Sequence, residues 1–130
     1  MFSDRQQLLA EARRNVEEVS GQDAKERLDR DDIDVFLDVR EPSEWTAGHI
    51  PGAVHVPLGM LHFRGDPASP MADPNLTANV GARVVVYCET GVRSLLGANL
   101  LKKMGYTNVV SMAKGISGWG RHGYPIDYGA

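Results

Sequence analysis

The chain has 130 residues, a formal net charge of −3 and one cysteine, with 42% hydrophobic and 24% charged residues. That length and balance fit one globular domain able to bury a core without staples. A single thiol excludes an internal disulfide framework and a multi-cysteine zinc site, and the mild acidity excludes the basic footprint of a nucleic-acid binder or a polybasic membrane surface.

The opening, Met1-Phe2-Ser3-Asp4-Arg5, is followed by no apolar core of a secretory signal, and no apolar run approaches the roughly 18 residues of a membrane span. Asp4 and Glu11 argue against a transit peptide despite Arg5, Arg13 and Arg14. The expectation is a cytoplasmic protein whose thiol stays reduced. Ser3 can cap an amphipathic helix over residues 3–15, with Leu8, Ala12 and Val16 on one face. This helix could receive a partner or pack on its own domain. The expected organisation is a helical extension over residues 1–16 and one domain over residues 17–130.

A short strand over residues 17–20 leads to Ser20, a cap for a helix over residues 22–30, and then to an acidic turn at residues 32–34. Val35-Phe36-Leu37 and Val84-Val85-Val86 are continuous apolar runs of the kind that fill strands buried on both faces, and Val109-Val110 is a weaker one. A short helix is expected near residues 58–63. Pro67, Pro70 and Pro74 then mark residues 65–82 as a long ordered loop, either one wall of a ligand site or a surface excursion. Residues 93–104 read as a helix: Leu96, Leu100 and Met104 share a face, Lys102 and Lys103 lie in the last turn, and Gly105 suits the left-handed end. Strands alternating with helices give an α/β fold with a parallel sheet covered on both faces.

The chemistry concentrates in Tyr87-Cys88-Glu89-Thr90-Gly91-Val92-Arg93-Ser94. A buried strand ends at the only cysteine, a tight loop follows, and an arginine opens a helix. Ligands of parallel α/β sheets bind beyond the carboxyl ends of the strands. Successive amides in a strand-to-helix turn, with the helix dipole behind them, form an anion nest that favours a thiolate. Gly91 permits the curl. Arg93 brings a positive charge whose aim the sequence does not fix. A lone cysteine at a strand end is otherwise an inert core residue; the loop around it argues for reactivity.

The segment Cys88 to Ser94 resembles the active-site loop of single-domain rhodaneses, Cys-x-x-Gly-x-Arg-Ser. Leu37-Asp38-Val39-Arg40-Glu41-Pro42-Ser43-Glu44-Trp45 is similar to that family's Asp-x-Arg segment and its continuation. Gly48-His49-Ile50-Pro51-Gly52-Ala53 and Lys114-Gly115-Ile116-Ser117-Gly118-Trp119, with Gly123-Tyr124-Pro125, resemble two further signatures. Together they cover about residues 17–127 in order.

The resemblance implies a central parallel sheet of about five strands with helices on both faces, and a sulfurtransferase activity. Cys88 would take a sulfane sulfur from thiosulfate, a persulfide or a polysulfide. It would then pass that sulfur to a thiophilic acceptor: cyanide, a thiol or a protein. Glu89, Thr90, Gly91, Val92 and Arg93 would bind substrate through their amides, and Asp38 and Arg40 would brace the loop rather than form a surface ion pair. No metal or organic cofactor is implied. The four histidines show no metal-ligand spacing, and His49, in a Pro-Gly turn, reads as structural. Trp45 and Trp119 read as packing residues; Met60, Phe63 and Met71 could line a pocket or fill the core. Glu89, directly after the cysteine, would disfavour dianionic thiosulfate. Two other readings compete. One is a phosphatase or arsenate reductase, whose loop carries five residues between Cys and Arg where this chain has four, Glu89 to Val92. The other is a carrier or interaction module without turnover.

Overall fold

The apolar runs decide the architecture. A computed structural model describes residues 3–129, so the outer limits of the two expected segments, residues 1–2 and 130, lie outside the described residues. In chain order the elements are α1 (Asp4–Asn15), β1 (Glu17–Val19), α2 (Gly21–Asp29), β2 (Val35–Asp38), α3 (Pro42–Ala47) and β3 (Val54–His55). A 3-10 turn (Leu58–Met60) runs into α4 (Leu61–Arg64). After it come α5 (Pro74–Thr77), β4 (Val84–Tyr87), α6 (Val92–Lys103), β5 (Val109–Met112) and α7 (Gly115–Arg121). The strands form one sheet in the order β1-β5-β4-β2-β3, and every recorded pairing between them is parallel.

All four residues of β4 are buried because both faces of the strand are covered. Val84 and Val86 share one core with Leu37, Val39, Ala12 of α1 and Leu95, Ala98 and Leu101 of α6. Val85 and Tyr87 share the other with Phe36, Ala24 of α2 and Ile116 and Trp119 of α7. Strands β4 and β2 are neighbours, and the chain leaves β4 towards β5 on one side but β2 towards β3 on the other. That reversal opens a crevice at the carboxyl ends of β4 and β2. Cys88 follows one of these strands and Arg40 the other.

The caps lie where expected. Ser3 accepts from the Gln6 amide in a reciprocal capping box, and Ser20 accepts from the Asp23 amide. Helix α1 packs on α6, but its buried face differs from the expected one: Leu9, Ala12 and Val16 are buried, and Leu8 is 53% exposed. The 9/12/16 spacing follows the helical repeat as well as 8/12/16 does, and the position of α6 selects between them. Polar ties close the seam: Lys103 Nζ bonds Glu11 at 2.8 Å, and Asn99 Nδ2 donates to the same carboxylate at 2.8 Å.

Residues 65–82 differ from the expected helix-free loop. Asp73 accepts from the Asn75 amide and Pro74 takes the first helical position, so the same dipeptide that signals a turn starts α5, which seats Leu76 in the core. The hydrogen bonds tying this segment to Tyr106 and Thr107 lie beyond the C-terminal end of α6, away from Cys88. The segment is a packed excursion at the far end of the sheet.

Candidate active site

Tyr87 ends β4 and Val92 starts α6, so the chain turns within Cys88 to Gly91. Gly91 makes the turn at φ 101°, and a Cβ there would meet the Lys114 amide nitrogen at 3.0 Å. This curl points the amides of Gly91 (3.1 Å) and Ser94 (3.4 Å) at Cys88 Sγ. The Ser94 hydroxyl stands 3.5 Å from the same sulfur. Cys88 itself is 1% exposed. The amides of Val92 and Arg93 open α6 and have no acceptor within the helix, so further donors and the positive end of the dipole face the loop. The sequence pointed to the amides of residues 89–93; at the sulfur itself the structure places those of Gly91 and, one residue further on, Ser94.

The loop is held from behind by the start of α7. The Ile116 amide donates to the Cys88 carbonyl at 2.9 Å, and the Ser117 amide to the Glu89 carbonyl at 3.1 Å. The Ser117 hydroxyl donates to the Glu89 carboxylate at 2.7 Å. Gly115 lets these backbones meet: an added Cβ would lie 2.3 Å from the Cys88 carbonyl oxygen. The Lys114-to-Trp119 motif is thus a cradle for the cysteine loop.

Asp38 and Arg40 are 0% and 3% exposed, a buried pair rather than a surface one. Arg40 donates to Asp38 through its amide (2.9 Å), Nε (3.1 Å) and Nη2 (2.8 Å). Nη2 also donates to the Gly48 carbonyl at 2.6 Å, and Nη1 to Glu89 at 3.2 Å. Burial works against the Arg40 charge, but the Asp38 hydrogen bonds and charge outweigh it and hold its pKa up. The Tyr87 phenol is pushed far up by burial and by the neighbouring Asp38 charge, and it accepts from the Ile50 amide at 3.1 Å. Arg40→Ala would leave Asp38 buried and unpaired. The expected cost is about 3–5 kcal/mol of stability, read from urea unfolding; a loss under about 1 kcal/mol would show that the pair does not brace the fold.

Arg93 does not point at the thiol. It grips Glu44 of α3 through two bonds of 2.7 Å each. Those bonds pull the Glu44 carboxyl down to about 2. The depressed value means that this tie is complete above the ordinary carboxylate range and is lost only as pH falls towards 2. Thr90 is exposed at the loop tip. Glu89 is not free in solvent: with its side chain 43% exposed, it shares its charge with Arg40. Arg40, Glu44, Gly48, Glu89, Ile116 and Tyr128 are among the residues lining a cleft of about 260 Å³ beside the loop.

His49 has a structural setting. Its Nδ1 bonds the Trp45 carbonyl at 2.9 Å and its ring stacks on Trp45 at 3.6 Å. His55 stacks on Trp45 at 4.8 Å, giving Trp45 an imidazole neighbour on each account. Trp119 is fully buried, and Met60 packs against the core from its edge. Phe63 and Met71 are exposed, so neither fills the core.

Sequence reasoning missed the anchoring role of Glu44, the Ser117 contact and the Ser94 hydroxyl. All three lie inside the quoted motifs, which was the available signal. Ser111 of β5, which donates to Ser94 Oγ at 2.8 Å, lies in none of them.

Comparison with known proteins gives one picture. The family described as Rhodanese-like domain matches residues 20–122. A sulfurtransferase of Allochromatium vinosum is 32% identical over 112 residues, covering 85% of this chain and 94% of that protein. The Bacillus subtilis protein YrkF, provisionally named a sulfur carrier, is 31% identical over 105 residues; the match covers 81% of this chain but only 51% of YrkF. A solved Rhodopseudomonas palustris structure, described as of unknown function and a possible tyrosine phosphatase, superposes with a TM-score of 0.88 at 32% identity. That match covers 98% of this chain and 96% of the other.

Proposed function

The chain belongs to the rhodanese-like family of sulfurtransferases and sulfur carriers, and we propose that it moves sulfane sulfur through a persulfide on Cys88. The observation that carries this reading is the sulfur of Cys88 under the converging amides of Gly91 and Ser94 at the open end of α6. Donors placed where negative charge develops stabilise it without reorganising.

The steps balance without an outside oxidant or reductant. The Cys88 thiolate attacks the outer sulfur of a persulfide anion, R–S–S⁻. A new S–S bond forms, the donor's S–S bond breaks, and its electron pair leaves on R–S⁻. With thiosulfate the leaving group is sulfite. An acceptor thiolate or cyanide then attacks the outer sulfur, and Cys88 recovers its electron pair. The charge of the bound persulfide sits on the outer sulfur, within reach of the loop amides from Glu89 to Arg93. Asp38 and Arg40 hold that loop through Glu89. With no second cysteine in the chain, the sulfur must leave to an external acceptor, either a small thiol or a protein thiol. Residues 17–130 carry this chemistry, and α1 packs against α6 ahead of them. A reducing compartment such as the cytoplasm suits a lone working thiol; among the described residues, no helix is long and apolar enough to cross a membrane.

Intact mass after incubation with a persulfide donor tests the reading. One added sulfur per chain, removed by a thiol acceptor, is expected; an unchanged mass overturns it.

Glu89 sets donor preference in this reading. Its carboxylate lines the cleft beside the cysteine loop, only partly offset by Arg40, so dianionic thiosulfate is a worse donor than a persulfide. Glu89→Gln is expected to raise kcat/KM for thiosulfate roughly 3–10-fold, the scale of one screened charge nearby. An unchanged or lower value would sink this assignment.

The description of the Rhodopseudomonas protein raises phosphatase activity as a second reading. A phosphate-binding loop needs its arginine on the phosphoryl oxygens. Here the loop is one residue short of that pattern and Arg93 is engaged with Glu44. Both features favour sulfur over phosphate, and an aryl phosphate assay would separate the two.

A further inference from the structure

We propose that Ser111 is a positioning residue for Cys88, acting through the hydroxyl of Ser94; the proposal rests on the sulfurtransferase reading above for its consequence, though not for its geometry. Ser111 lies in β5, where all four residues are buried. Val110 and Met112 on one face of the strand fill the core against α2 and α7. The alternation turns Ser111, like Val109, to the opposite face, towards α6. A methyl group would pack at such a place. A fully buried hydroxyl is tolerated only because it is hydrogen-bonded.

Its recorded partner among the described residues is Ser94 Oγ, at 2.8 Å. Ser94 is also 0% exposed, and its Oγ stands 3.5 Å from Cys88 Sγ. A hydroxyl carries one hydrogen. Ser111 directs its hydrogen to Ser94, so the hydrogen of Ser94 points elsewhere. The remaining polar atom recorded at Ser94 Oγ is the sulfur of Cys88. While Cys88 is a thiol, its S–H can donate to Ser94. Once it is a thiolate, Ser94 donates to the sulfur and Ser111 donates to Ser94, giving a chain of hydroxyls ending on the anion. Together with the amides of Gly91 and Ser94, that makes three donors on one sulfur.

Without Ser111 the Ser94 hydroxyl loses this orientation. A serine in the first turn of a helix can turn back to the carbonyl three residues before it, here that of Gly91. The sulfur would then lose a charge-assisted hydrogen bond at the two moments when it is anionic: the attack on the donor and the release of the acceptor's product.

The test compares Ser111→Ala, Ser94→Ala and the double variant. Alkylation of Cys88 by iodoacetamide is followed against pH, with no sulfur donor present. Ser111→Ala is expected to react roughly 3–10-fold more slowly near neutral pH, with the whole profile displaced to higher pH, the scale of one ordinary net hydrogen bond. In a Ser94→Ala background the second substitution should add nothing, because Ser111 acts only through Ser94. Ser111→Thr keeps a hydroxyl and should restore the profile, whereas the isosteric Ser111→Val should not. The Thr/Val pair decides the matter even if Ser111→Ala is too unstable to assay. The charged groups near the loop, Glu89, Arg40, Arg93 and Glu44, are the same in every variant. A wild-type profile in Ser111→Val, or an equal further loss in the Ser94→Ala background, overturns the proposal. Because alkylation needs no sulfur donor, it separates failure of this proposal from failure of the sulfurtransferase reading, which the intact-mass experiment tests.

Discussion

Cys88→Ser is expected to abolish persulfide formation and to lower sulfur transfer to cyanide by on the order of 10³-fold or more. The substitution is chosen because it changes chemistry more than structure. Serine Oγ can still accept from the amides of Gly91 and Ser94, which hold Sγ at 3.1 and 3.4 Å in the native loop. The sulfur is buried, and a smaller atom there leaves only a slight gap. A thermal melt should therefore stay close to wild type. What disappears is the nucleophile: an alkoxide is not available near neutral pH, and oxygen does not form a stable bond to sulfane sulfur under these conditions. Other covalent routes are closed because no second cysteine exists. Transfer that persisted at even a tenth of the wild-type rate with a native melt would remove Cys88 from the mechanism. Loss of transfer with no sulfur ever detected on the wild-type chain would instead favour a binding module.

The contrast between what was legible and what was not follows the reach of each interaction. The strand at Val84–Tyr87, the turn at Gly91 and the helix behind it could be read from consecutive residues, because strand burial, left-handed glycine and helix start are local effects. Local rules also placed Cys88 at a strand end. The aim of Arg93 was not readable. Its partner Glu44 lies 49 residues away, and only the tertiary fold brings the two side chains together. Glu89 illustrates the same limit: its neighbours Arg40 and Ser117 come from opposite directions along the chain. Ser111 carried no signal at all, since one serine in a strand pattern looks like a tolerated polar residue. The face of α1 was misassigned by one position because two spacings satisfy the helical repeat, and tertiary packing decides between them.

Gly115→Ala is expected to be the most damaging single methylation of the fold. Gly115 takes φ +52°, a conformation that L side chains rarely adopt, and an added Cβ would lie 2.3 Å from the Cys88 carbonyl oxygen and 2.5 Å from that of Glu89. Backbone atoms cannot swing aside as a flexible side chain can, so the start of α7 must separate from the loop. That separation breaks the bonds from the Ile116 and Ser117 amides to the same two carbonyls. The expected loss is about 3–5 kcal/mol, the range of named severe mechanisms, or a fall in Tm of roughly 10–25 °C for a domain of this size. Gly120→Ala is the matched control: it lies in the same helix, and its Cβ would meet nothing within 4 Å. There alanine should be neutral or slightly stabilising through helix propensity. Assayed at a temperature where Gly115→Ala remains folded, the variant should also load less sulfur onto Cys88, because shifting the carbonyls of residues 88 and 89 turns the amide fan away from Sγ. A Tm within about 3 °C of wild type would show that α7 yields easily, and would reduce the Lys114-to-Trp119 cradle to ordinary packing. A large fall in Tm with full loading would show instead that the cradle supports the fold while the loop keeps its own shape. The combined loss ties the two together: the glycine that lets α7 approach is then the residue through which the second core holds the cysteine loop in its reactive curl.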